Sequence, residues 1–311
     1  MKTKDIKIGL LEFGLSEKQN SLHAIEDIFE YAIVADKLGY SRFWISEHHR
    51  SNSLHPYNNP EIMITLIAGM TENIRVGGAG SLIGYYSPYS LVQNYKLLNN
   101  IYNDRIDFGL SKGRPENSQL HDFFNLTYDN KTYENKMYLK NLEGISDLLH
   151  NEKENYEKRK IVIPPFMGKP PSLWYLSNSY KLKDLAIDKQ LNICKSLMHG
   201  LDVFDYNPDL EGLMEYKEEY YLKNKKQPEV ALAIAISFTK SKKEIEEIES
   251  KQKNPREALK VISVTDDTIS VVFKNLQKKY GIDEFIIYDT ESNIDKKIEN
   301  LNRIKQNIKN F

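Results

Sequence analysis

Glu47, His48 and His49 stand together directly after a short apolar run, residues 42–46. An imidazole near neutral pH can serve as acid, base or hydrogen-bond donor. Two adjacent histidines also suggest a metal. Neighbouring strand residues point to opposite faces, however, so His48 and His49 are badly placed to chelate one ion. The helical zinc spacing His-Glu-x-x-His is absent as well, and no metal is expected. Within the run Phe43 and Ile45 share one parity, and Trp44, Ser46 and His48 share the other. The first pair suits a helix-facing surface and the second set the interior of a barrel, which would put His48 in its mouth. The alternative is a histidine that bonds a loop backbone, and position alone does not choose between the two.

Three other places carry polar or glycine-rich residues just after apolar runs. Lys112 and the turn Ser177-Asn178-Ser179 offer a cation, short polar side chains and backbone N–H groups opening a helix. A phosphate fits such a cluster, but so does helix capping beside a solvated lysine. Gly77-Gly78-Ala79-Gly80 has the wrong spacing for a dinucleotide fingerprint. Its missing side chains suit either a flat ring lying against Ala79 and Gly80 or the tight packing of a bulge.

The elements that must position these residues alternate along the chain. Apolar runs at 6–13, 42–46, 74–83, 106–110, 172–176, 192–198, 230–238 and 284–288 read as strands. Amphipathic stretches lie between them, at 59–72, 88–102, 132–150, 208–222, 241–251 and 266–280 among others, with a last helix at 293–309. Leu38-Gly39-Tyr40 closes the first helix with glycine in the expected place. Eight strands returning through helices must pair in parallel. A closed (β/α)8 TIM barrel is the economical form, with an open doubly wound sheet as the alternative that pattern alone does not exclude, and residues 1–311 are expected to make one domain, since such barrels take about 250 residues or more. Their active sites lie at the C-terminal strand ends, where all the residues named above fall. Residues 151–171, charged and then proline-rich, interrupt the rhythm as either a lid or an irregular insertion.

Composition narrows the function classes. Lys plus Arg number 43 against 44 Asp plus Glu, which leaves no electrostatic footprint for nucleic acid or an anionic membrane. No run approaches the roughly 18 apolar residues of a membrane span, and the lysine-flanked N-terminus reads as a first strand and not as a signal peptide. The single cysteine, Cys194, fits a cytoplasmic protein.

Taken in order, these pieces resemble the bacterial-luciferase-like flavin-dependent monooxygenases. The best match runs from residue 39 to residue 114. It comprises Gly39-Tyr40, Phe43-Trp44 leading into Glu47-His48-His49, Asn59-Pro60-Glu61, Thr71-Glu72-Asn73-Ile74-Arg75-Val76-Gly77, Ser87-Pro88 and Arg105-Ile106-Asp107-Phe108-Gly109-Leu110. Weaker similarity covers 171–179 and 266–288. The resemblance implies that His48 lies over the flavin and supports its oxygen chemistry, and that a non-prolyl cis peptide falls at Ala79-Gly80. It also implies that Lys112 holds the flavin phosphate, with Ser177, Asn178 and Ser179 as a second phosphate-binding element. On that basis the chain uses reduced FMN, supplied by a separate NAD(P)H–flavin reductase, and O2 to oxidise a small organic substrate. A homodimer is implied, with helices 59–72 and 88–102 as contact candidates. The alternatives are a non-oxygenating flavin or deazaflavin oxidoreductase, and a flavin-binding protein without turnover. Three departures stand out: Gly84-Tyr85-Tyr86 where a proline is common, Ser177-Asn178 for a common Gly-Ser, and a short segment between the seventh and eighth strands.

Overall fold

Alternation along the strands sorts the apolar residues into two separate cores. The computed structural model describes residues 5–14, 20–49, 55–113, 115, 118–121, 123–124, 131–198, 210–239, 241–250 and 259–309. Strands β1 (Lys7–Glu12), β2 (Arg42–Ile45), β3 (Arg75–Leu82), β4 (Ile106–Ser111), β5 (Ser172–Ser177), β6 (Asn192–Ser196) and β7 (Val230–Ser237) pair in chain order. They are followed by β8 (Val261–Ser263) and β9 (Glu284–Asp289). β9 pairs with both β7 and β1, closing an eight-stranded, all-parallel ring. Outside the ring run α1 (Ser21–Lys37), α2 (Pro60–Met70), α3 (Pro88–Ile101), α4 (Lys131–His150), α5 (Glu152–Arg159), α6 (Lys183–Asp188), α7 (Leu210–Asn224), α8 (Lys242–Ser250), α9 (Ile269–Tyr280) and α10 (Ile294–Lys309).

One core lies between strands and helices and includes Ile8, Leu10, Phe43, Ile45, Val76, Phe108 and Ile193. The other fills the barrel and includes Leu11, Trp44, Trp174, Cys194, Ala231, Ala233 and Ile286. The parity expected of Phe43 and Ile45 against Trp44 is therefore what the fold uses. Helix boundaries follow local chemistry. Asn20 and Asn59 accept the Leu22 and Ile62 backbone N–H at 2.9 and 3.1 Å, Pro60 and Pro88 open α2 and α3, and Gly39 follows α1 at φ +74°.

The N-terminal end of the barrel is closed by charge. Arg42, 3% exposed, donates to Glu284 at 2.7 Å, Asp107 at 2.8 Å and Glu229 at 2.5 Å, and its guanidinium lies 4.5 Å from the Trp174 ring centre. Burial opposes the charge on Asp107, but Arg42 and Arg75 outweigh it and hold this carboxyl below its usual range.

Two segments differ from the sequence expectation. β8 is a ninth strand: it continues the β6 side of β7 above the point where β6 stops, and three residues are too few for an apolar-run signal. Residues 151–171 contain a helix, α5, and are not a lid. They lead from the end of α4 to Ser172, which pairs with Asp107 at the N-terminal end of β4. The segment is fastened along α3. Lys96 pairs with Glu152 and donates to the Ile163 carbonyl at 2.9 Å, and Asn99 and Asn100 donate to the Lys169 carbonyl at 3.2 and 2.9 Å. The expected start of the seventh helix at residue 208 lies outside the described residues.

Candidate active site at the C-terminal mouth

The mouth is built by strand parity. β1 sends Leu11 inward and, just past its end, Phe13; β9 sends Ile286 and Tyr288. Phe13 meets Tyr288 edge-on with ring centres 4.6 Å apart, and the His48 ring centre lies 5.8 Å from that of Phe13. Ala79 on β3, Leu176 on β5 and Met198 after β6 pack on the same interior cluster. His48 is thus half-buried at the rim of an apolar well. His49 goes the other way, as alternation requires, and its Nε2 bonds Glu47 Oε1 at 2.8 Å.

The glycine run proves to be mostly a packing device. A Cβ on Gly77 would sit 2.4 Å from the Asp107 carbonyl oxygen, one on Gly78 2.8 Å from the Tyr95 hydroxyl, and one on Gly80 2.8 Å from the Gly109 carbonyl. β3 and β4 shift register between Gly78 and Ser81, so these contacts are the bulge that the sequence left open. The Ala79–Gly80 peptide is cis, as the resemblance implies. Ala79, half-exposed, is the residue of this run whose side chain joins the interior cluster.

Lys112 is exposed one residue past β4. β4 and β5 are neighbours, with Leu110 opposite Tyr175, so Lys112 and Ser177 both stand at the C-terminal ends of adjacent strands. Ser177 and Ser179 are half-buried and Asn178 is exposed. The helix expected to open at this turn does not. α6 is six residues long and starts at Lys183, and the Ser179 N–H is taken by Ser177 Oγ at 3.2 Å. What the turn offers an anion is its side chains, at the strand end adjacent to that of Lys112. Arg50 and Arg114, which follow these elements in the sequence, lie outside the described residues.

The arrangement therefore brings together an apolar well with an imidazole at its rim, a small side chain on one wall, and a cation with hydroxyls at adjacent strand ends. A flat ring carrying a phosphate on a flexible arm fits that donor set. Residues 10–190, more than half of the chain, match the model of the luciferase-like monooxygenases. The chain belongs to the luciferase-like monooxygenase family.

Members and neighbours of this family are diverse. The chain is 31% identical over 175 residues to the uncharacterised protein YwcH of Bacillus subtilis, covering 56% of this chain and 51% of that one. It is 23% identical over 262 residues to N-acetyl-S-alkylcysteine monooxygenase of the same organism, covering 83% and 74%. The chain spans about half the length of the first two curated relatives it matches. Among solved structures, apo-MsnO8 superposes with a TM-score of 0.76 at 18% identity, over 98% of both chains. The oxygenating constituent of 3,6-diketocamphane monooxygenase from Pseudomonas putida, in complex with FMN, gives 0.69 at 16%, over 98% of both. An F420-dependent secondary alcohol dehydrogenase gives 0.71 at 13%, over 98% and 99%. At such identities these likenesses speak for the fold alone. The luciferase-like signature in the sequence pointed to His48, Ala79, Gly80, Lys112 and the Ser177–Ser179 turn. It did not point to Phe13 or Tyr288, which parity on β1 and β9 would have found.

Proposed function

We propose that the chain is an FMN-dependent monooxygenase working as a single barrel domain. It would take reduced FMN from a separate NAD(P)H–flavin reductase and use O2 to oxidise a small organic substrate. The carrying observation is that, of the two adjacent imidazoles, His48 is the one turned to the mouth, beside Phe13. With reduced FMN as two-electron donor, one atom of O2 enters the substrate and the other leaves as water. Lys112 with Ser177, Asn178 and Ser179 binds the phosphate, Ala79 leaves room for the ring, and Phe13, Leu176 and Tyr288 keep water out. His48 holds or delivers a proton at the reacting oxygen. The monooxygenase names of the Bacillus subtilis relative and of the FMN-bound neighbour support this activity. The F420-dependent neighbour supports the competing assignment, hydride transfer through a deazaflavin without oxygen.

We place the protein in the cytoplasm as a homodimer. No described helix is long and apolar enough to cross a membrane. α2 exposes Ile62, Leu66 and Met70, and α3 exposes Tyr89, Leu97 and Ile101. Such neighbouring apolar stripes are what a twofold contact would cover.

Titration with reduced FMN and with reduced deazaflavin, followed by mixing with O2, tests the assignment. The wild-type protein should bind FMN more tightly and delay hydrogen peroxide release. His48→Ala should still bind FMN but lose that delay by about 10²- to 10⁴-fold, while His49→Ala does much less. Preference for the deazaflavin, or a His48→Ala protein equal to wild type, would end it.

A further inference from the structure

β2 stops pairing with its neighbouring strands before His48. Its last partners are Glu12 and Gly78, both opposite Ile45, and the last backbone bond on this side runs from the Ser46 N–H to the Glu12 carbonyl at 3.0 Å. Residues 47–49 lie beyond the ladder. Beyond the ladder, one carboxylate, that of Glu47, joins this segment to His49, to the end of β3 and to the Tyr86 loop.

Glu47 has a side chain 1% exposed. Its Oε2 accepts the Leu82 backbone N–H at 2.9 Å, and its Oε1 accepts the Tyr86 hydroxyl at 2.5 Å and His49 Nε2 at 2.8 Å. Hydrogen bonds to an ionised acceptor are shorter and stronger than neutral ones. Burial first, and then the Glu47 charge, push the Tyr86 phenol well above its ordinary value, so it remains a donor. The Tyr86 loop is itself held, because Asn141 on α4 donates to the Ile83 and Tyr86 carbonyls at 2.7 and 3.1 Å. Phe124 stands edge-on to both His49 and Tyr86, at 5.2 and 5.6 Å between ring centres.

We propose that Glu47, bonded to Tyr86, is a positioning residue that fixes His48 in the mouth. Residues 47 and 49 are tied to the end of β3 and the Tyr86 loop, and His48 between them faces Phe13 in the mouth. The same carboxylate holds the end of β3, so His48 and Ala79 keep their mutual placement. An apolar side chain at position 47 would fill the volume but could not join these backbone segments. The role rests on the assignment of His48 as the acting imidazole.

The test compares Glu47→Gln and Tyr86→Phe with Tyr216→Phe. The last removes a buried hydroxyl bond of 2.5 Å to the Leu191 carbonyl on the opposite side of the barrel. In cofactor-free protein, ¹³C-histidine relaxation should show an ordered His48 ring in the wild type and in Tyr216→Phe, and a mobile one in the two site variants. With reduced FMN, the site variants should bind within about threefold of wild type. Their delay of peroxide release should be shortened about ten- to hundredfold, the scale of a small misplacement of a reacting group. Unchanged His48 order in Tyr86→Phe, or equal losses in Tyr216→Phe, would overturn the role. If Glu47→Gln does not fold, Tyr86→Phe decides, since it removes one oxygen atom. If the wild type neither binds FMN nor reacts with O2, the proposed function fails while the relaxation data still judge the positioning role.

Discussion

Ala79 and Gly80 are neighbours on β3, yet substitutions at the two should fail in different ways. A methyl on Gly80 would lie 2.8 Å from the Gly109 carbonyl carbon and oxygen and 2.9 Å from Leu176 Cδ1. Backbone of the adjacent strand cannot retreat without opening the ladder, so Gly80→Ala should lower stability by about 1–3 kcal/mol, the usual scale of overpacking. The Ala79 methyl instead faces the mouth and is half-exposed. Ala79→Leu has room in the free protein and should leave stability nearly unchanged. It fills the space assigned to the flavin ring. If the same roughly 1–3 kcal/mol of crowding then falls on binding, the FMN dissociation constant rises roughly five- to 150-fold. Urea unfolding and flavin fluorescence titration on both variants separate the two effects. Wild-type FMN affinity in Ala79→Leu would refute the placement of the ring. A stable Gly80→Ala protein with impaired binding would refute the packing account of the glycines.

Further predictions concern charge, pH and assembly. Lys112→Ala should weaken FMN about tenfold, the low end expected for an exposed charge-assisted bond, and leave riboflavin binding unchanged; equal losses for the two ligands would show that Lys112 does not read the phosphate. Arg42→Met leaves buried Glu284 with the Ser41 hydroxyl at 2.8 Å as its remaining side-chain donor among the described residues, and should cost about 3–5 kcal/mol in urea unfolding, as for a broken buried ion pair. Burial, and then Lys226, lower the His150 pKa to about 4. The folded state thus refuses a proton that the unfolded chain accepts near 6.5, so this contribution is complete above pH 6.5 and is lost as pH falls toward 4. His150→Gln should flatten the loss of stability between those values, by up to about 3 kcal/mol. Ile62→Glu combined with Ile101→Glu should convert a sedimenting dimer into a monomer, and a wild-type monomer at micromolar concentration would refute the dimer.

Period and spacing in the sequence pointed to the ring and offered its mouth as one of two settings for His48. Apolar runs separated by amphipathic stretches imply a parallel sheet with closure as its economical form, and the alternation of Phe43, Trp44 and Ile45 follows from the strand repeat. Helix starts at Asn59 and Pro88 are local chemistry and were equally legible, whereas the Asn20 cap emerged only with the structure. The tertiary structure decided whatever depends on residues distant in sequence. Phe13 and Tyr288 meet only because β1 and β9 are neighbours in the closed ring. The glycines of β3 are explained by the backbone of β4 and by Tyr95 on α3, which no local pattern contains. Residues 151–171 read equally well as a lid until Lys96, Asn99 and Asn100 fasten them along α3. The sequence assigned Glu47 no role of its own; its three donors come from positions 49, 82 and 86, and only folding sets them around one carboxylate.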